Sequence, residues 1–159
     1  MKTLIRTIVW LALTIWLGGM FFFVVTAAVS FSTIADTHAA GTIVAKCLHV
    51  LNQEGLVAGC IILAFLVIGR VRRVYMRPKA AIIVTLVMMA LAAFTQFWIM
   101  PRMERYRLAA GGAIDNVPDT DARHAGFNRL HHYSEHILEA ETLGGIILIV
   151  LLSREDGLD

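Results

Sequence analysis

Residues 129–145 read RLHHYSEHILEAETLGG and run directly into the apolar string IILIVLL. His132 and His136 stand four residues apart and Glu139 follows three later, a spacing that puts two imidazoles and a carboxylate on one helix face. Such a donor set suits copper(II) or zinc, and iron less well. On a helical wheel with His131 at the origin, Glu135, Glu139, His132 and His136 fall within about 140°. Glu141 falls on the opposite side of that wheel. The metal ligands read from this pattern are His132, His136, Glu139 and Glu135. A second polar arc groups His49, Asn52, Gln53 and Cys60 within about 100°, and Cys47 or His49 would add a fourth ligand across the interface. Two other chemistries use the same residues: haem held between His49 and His131, and a proton relay or quinone site built from imidazoles and carboxylates. No nucleophile with a placed base is recognisable, so catalysis is less supported than binding.

These groups need elements to position them, and the composition says which. With 58% hydrophobic and 16% charged residues in 159, and a mean hydropathy of +0.71, the chain is far more apolar than a water-soluble domain. It reads as an all-α, integral membrane four-helix bundle: one domain over residues 1–159 with spans at about 4–29, 48–69, 80–100 and 132–153. The basic start MKTLIR resembles a signal peptide, but the apolar stretch behind it is too long for one and reads as an uncleaved first span. The net charge of +2 gives no reason to expect nucleic acid. Cys47 and Cys60, on one helix about 20 Å apart, are beyond disulfide reach. Residues 101–123 read as an exposed connection, with a Gly pair and Asn-Val-Pro.

Lys and Arg set the expected orientation. RVRRVYMRPK, residues 70–79, holds five of them; with Lys2, Arg6 and Arg154 that end collects eight of 14 and is assigned to the cytoplasm, with both termini inside. All six histidines and nine of the twelve acids then fall on the outer side. The apolar cores of spans two and four, residues 55–69 and 142–152, reach only about 22 Å and 16 Å, so both spans recruit polar neighbours at their outer ends. Because titratable groups within a bilayer usually avoid lipid, the two polar arcs are expected to face each other. They would line a pocket open to the outer face, joined by Gln96 and Thr95 and closed below by Ile146, Ile149 and Val150. Trp16, too deep for an interfacial belt, is expected inside the bundle against Gly18 and Gly19 and is counted with Asn52, Gln53 and Gln96 among the pocket residues. Gly55 and Gly59, and Ala140 with Gly144, are candidate points of close helix approach.

WLGGMFFFVVTAAVSFSTI in span one, WIMPRMERYR at the exit of span three and FNRLHHYSEHILEAETL entering span four resemble the DUF4149 family, which includes the transmembrane protein 205 group. The family's pattern corresponds to Trp16, Gly18 and Gly19, to Pro101 and Arg102, and to Phe127, Leu130 and His131. The resemblance implies a four-helix membrane protein without an established biochemical activity. Animal members are associated with resistance to platinum drugs, and span one is distantly similar to the copper resistance D family, so both associations lean toward metal handling. His132, His136 and Glu139 go beyond the family pattern.

Two functions follow as expectations for a protein of the bacterial inner membrane. In one, the outer pocket binds a transition metal, in metal tolerance or as an accessory to membrane redox proteins. In the other, the chain is a structural or assembly subunit whose polar helix mouth docks another membrane subunit. A ligand pocket would turn the His/Glu arc inward; a docking surface would leave it outward.

Overall fold

A computed structural model describes residues 1–156; the last three residues of the 1–159 domain reading lie outside it. The elements are α1 (Lys2–Thr33), α2 (Thr37–Val71), α3 (Lys79–Phe94), a π-turn (Thr95–Ile99), α4 (Met100–Ala109), a 3-10 turn (Ile114–Asn116) and α5 (Ala122–Asp156). Four continuous helical rods result, each long and apolar enough to cross a bilayer, and no strand occurs among the described residues. Neighbouring rods pack in the order α1, α2, α3, α5, with a slighter contact closing the ring between α5 and α1. One end of the bundle gathers all six histidines and the other holds the basic turn of residues 70–79, and these are the histidine end and the arginine end.

Each rod buries a seam at spacings of three and four. On α1 the seam is Ile5, Val9, Ala12, Leu13, Trp16, Leu17 and Met20, and it faces Leu51, Ala58, Ile62 and Leu66 of α2. Small residues let the backbones close up there, since a Cβ on Gly55 would collide with the Trp16 indole and one on Gly59 with the Met89 side chain. Trp16 is therefore held by α2 and not by Gly18 and Gly19, which lie two and three residues along its own helix. A Cβ on Gly18 meets nothing within 4 Å, whereas Gly19 backs onto Leu51 and Glu54. The opposite face of α1 exposes apolar side chains along its length, from Leu4 and Leu11 through Phe22 and Val25 to Phe31.

The third rod does not end at Pro101. Proline has no N–H and its ring crowds the carbonyl four residues back, here that of Phe97. The helix absorbs this by widening one turn, with Met100 N–H donating to Thr95 O, and continues to Ala109. The connection to α5 is correspondingly shorter than the 101–123 expected. Its glycines make the turn, Gly111 and Gly112 having φ of 84° and 103°.

Both long loops are tied by carboxylates. At the arginine end Glu155 accepts from the backbone N–H groups of Met76 (2.6 Å) and Arg77 (3.0 Å), fixing the α2–α3 turn to the end of α5. At the other end Asp121 caps α5: its Oδ1 accepts from Arg123 N–H at 2.8 Å, and the Arg123 guanidinium donates to both carboxylate oxygens. These bonds hold the Asp121 carboxyl at about 2, below its ordinary 3.8. The folded chain thus prefers the ionised form, and its stabilising contribution is complete above the ordinary value and lost as pH falls toward 2. Amide protection factors over residues 118–125, corrected for intrinsic exchange, should fall between pH 4 and 2 (roughly the interval between the two pKa values) while those of α1 do not, and Asp121→Asn should remove that step.

Candidate functional site

The outward or inward question is settled by the seam of α5. Its buried positions are Gly126, Leu130, Ser134, Glu141, Gly145, Leu148 and Leu152, with Leu138 packed against the core between them. His131, His132, Glu135, His136 and Glu139 all lie off that seam. The side chains of His132, His136 and Glu139 are 70%, 74% and 75% exposed. The two polar arcs therefore do not face each other, and no closed pocket forms between them. Ile146 and Val150, expected as its floor, are exposed as well, and Ile149 packs partly against the core. The physical reason is position: these groups lie beyond the apolar core of α5, where water and headgroups solvate them, so nothing drives them inward.

What the arc forms instead is a ridge of paired groups. Glu135 takes two imidazoles, His132 Nδ1 at 3.0 Å and His131 Nε2 at 3.3 Å. Glu139 takes His136 Nδ1 at 3.1 Å. His131 also stacks on Phe127, ring centroids 6.3 Å apart, and His124 pairs with Asp119 of the preceding loop at 2.9 Å. No three His, Cys, Asp or Glu side chains converge in a metal-holding arrangement among the described residues. His132 and His136 thus offer an open two-imidazole face, with further coordination positions left to water or to another molecule.

On the other side of the bundle α2 and the π-turn share a polar contact. His49 Nδ1 lies 2.8 Å from Gln96 Nε2, and Gln53 Nε2 lies 3.1 Å from His49 Nε2; a neutral imidazole has one acceptor nitrogen and takes a hydrogen bond from one of these two amides. His49 and Gln53 are exposed, Gln96 and Asn52 are buried, and Asn52 donates to Met100 Sδ at 3.7 Å. Cys60 is exposed and Cys47 partly buried, both free. Cys47 lines a shallow groove between α1 and α2 together with Phe22, Lys46 and Glu54. His49 and His131 stand on different rods, and neither lines this groove or the second one, between α1 and α5.

The family model for a domain of unknown function, DUF4149, matches residues 11–111. The chain belongs to the DUF4149 family. No curated protein and no solved structure matches it. The matched segment of this DUF4149 protein runs from the first third of α1 to just past the end of α4. It contains Trp16, Gly18, Gly19, Gly55, Gly59, the π-turn, Pro101 and Arg102, and the whole His/Glu ridge of α5 lies after it.

Glu141 is the functional candidate that the polar pattern did not select. It is 3% exposed, and its Oε1 is buried with no hydrogen-bond partner. Its signal was its register: it falls seven residues before Leu148 and eleven before Leu152, on the buried seam.

Proposed function

We propose that this DUF4149 protein is an accessory subunit of a bacterial inner membrane, oriented with its histidine end outside, which presents the α5 ridge to bind a transition metal shared with a partner. The observation behind this reading is the pair of imidazoles at i and i+4, His132 and His136; their outward exposure supports the docking half of it. Two imidazoles on one face are a metal chelate that cannot close its own coordination sphere, so the remaining ligands come from water or from the molecule that docks. The concentration of Lys and Arg in residues 70–79 supports the orientation.

The test is equilibrium dialysis of Zn²⁺ and Cu²⁺ against detergent-solubilised protein carrying no histidine tag. One ion per chain is expected to bind to the parent, with at least a tenfold loss in His132→Ala/His136→Ala, about 1.4 kcal/mol or more by the affinity relation. Thermal unfolding should not change, because both side chains are exposed. Equal binding by parent and variant would overturn the metal role and leave a ridge that docks by its charge alone.

A further inference from the structure

The interior of the bundle holds a second feature that the ridge does not use. Among the described residues, Glu141 Oε1 on α5 and Thr95 Oγ1 and Gln96 Oε1 on the π-turn are buried oxygen atoms with no hydrogen-bond partner. All three residues are at least nine-tenths buried, at 3%, 2% and 5% exposure. Native interiors leave few such atoms unsatisfied, and each needs an explanation in a guest or a bound water. The cost is higher within a bilayer, where no solvent is at hand.

The helix register brings the three close. Gly144 meets the Met88 side chain, with Cγ at 2.9 Å from a built Cβ, and Gly126 meets the Tyr106 ring at 2.7 Å. Those two contacts fix α5 antiparallel to the third rod and put Glu141 level with Leu91, about one helical turn from Thr95. Side chains lean toward the N-terminus of their own helix. Glu141 on α5 leans toward the histidine end, and Thr95 on the antiparallel rod leans toward the arginine end, so each leans toward the other. The π-turn packs against both α2 and α5, and its widened geometry is of the kind that recurs at ligand sites.

The charge balance says what kind of guest fits. The buried polar residues are Ser30, Asn52, Thr85, Thr95, Gln96, Ser134 and Glu141, with no Lys, Arg or His among them. A carboxyl group in such a place takes up either a proton or a positive partner, and the buried residues described supply no cationic side chain. Carboxylate, hydroxyl and amide oxygens are hard donors, suited to a hard cation and not to copper or zinc. We propose that Glu141, Thr95 and Gln96 form an internal oxygen-donor site for a small monovalent cation, sodium being the ion of matching charge and hardness.

The site predicts ion-specific stability, because a ligand that binds only the folded state raises its melting temperature in a saturable way. The protein in detergent should melt higher in NaCl than in choline chloride at equal ionic strength. Glu141→Gln should melt at one temperature in both salts, and Thr95→Val should shift the sodium midpoint to higher concentration. Binding of radioactive ²²Na⁺ by the parent, at one ion per chain and displaced by excess unlabelled NaCl, provides a readout independent of folding. Equal melting in the two salts together with no retained ²²Na⁺ would overturn the proposal, as would a Glu141→Gln variant that still binds the ion. Should that variant not fold, the Thr95→Val midpoint decides: an unchanged value rejects the site.

Discussion

Gly55→Leu should strongly destabilise the folded bundle, loosening the packing of inserted helices. Even a methyl group at this position would collide with the Trp16 indole, whose Cε2 and Cδ1 lie 2.8 and 3.1 Å from a built Cβ. The indole is 1% exposed and has no free volume to retreat into. Overpacking a core costs about 1–3 kcal/mol for extra methylenes, and an isobutyl group driven into a rigid ring lies at or beyond the top of that range. Gly18→Leu is the matched control, on the exposed side of α1 with nothing within 4 Å of its Cβ, and should be neutral. Helicity by circular dichroism should be the same in both variants, because membrane helices form separately from their packing. Thermal unfolding in mild detergent separates them, and Gly55→Leu melting with the parent would show that α1 and α2 do not meet at this residue.

Trp16→Ala should produce a comparable loss from the opposite cause. Truncating a buried tryptophan costs about 3–5 kcal/mol when the surroundings cannot collapse, and the seat of Trp16 is walled by the backbone at Gly55 and Gly59. In a bilayer the transfer part of that cost shrinks, since lipid is as apolar as the core, but the lost packing contacts remain. A double-mutant cycle is informative because the two residues occupy one space. Trp16→Ala/Gly55→Leu should be more stable than the sum of the single losses by at least about 1 kcal/mol, the leucine refilling the vacated volume. Additive losses would mean that the two substitutions act at separate places.

The four rods were legible because run length and charge density decide them: stretches such as 80–99 contain no charged residue, and Asp36 and Asp121 mark helix starts by their capping chemistry. The orientation of α5 was not. A wheel centred on His131 takes the densest polar arc as the interior, on the premise that titratable groups avoid lipid; that premise binds only groups within the hydrocarbon. Stepping back from Leu152 and Leu148 by fours and threes instead gives Gly145, Glu141, Leu138, Ser134 and Leu130, which is the observed seam. Pro101 misled in a similar way. Proline ends most helices, yet here a π-turn supplies the missing room and the rod continues, so the polar groups of Thr95 and Gln96 were placed by a backbone event that no side-chain pattern announces.

The unequal apolar walls of the bundle have a mechanical consequence. On α1 exposed hydrophobic side chains run from Leu4 to Phe31, about 40 Å of helix, against about 30 Å of hydrocarbon. On α5 the exposed aliphatic band is confined to Leu143–Val150, about 12 Å. The surrounding bilayer must thicken beside α1 and thin beside α5, or the whole bundle must tilt to share the mismatch. Such a mismatch predicts that the protein sorts by bilayer thickness, with the His/Glu ridge on the side of the shorter apolar wall.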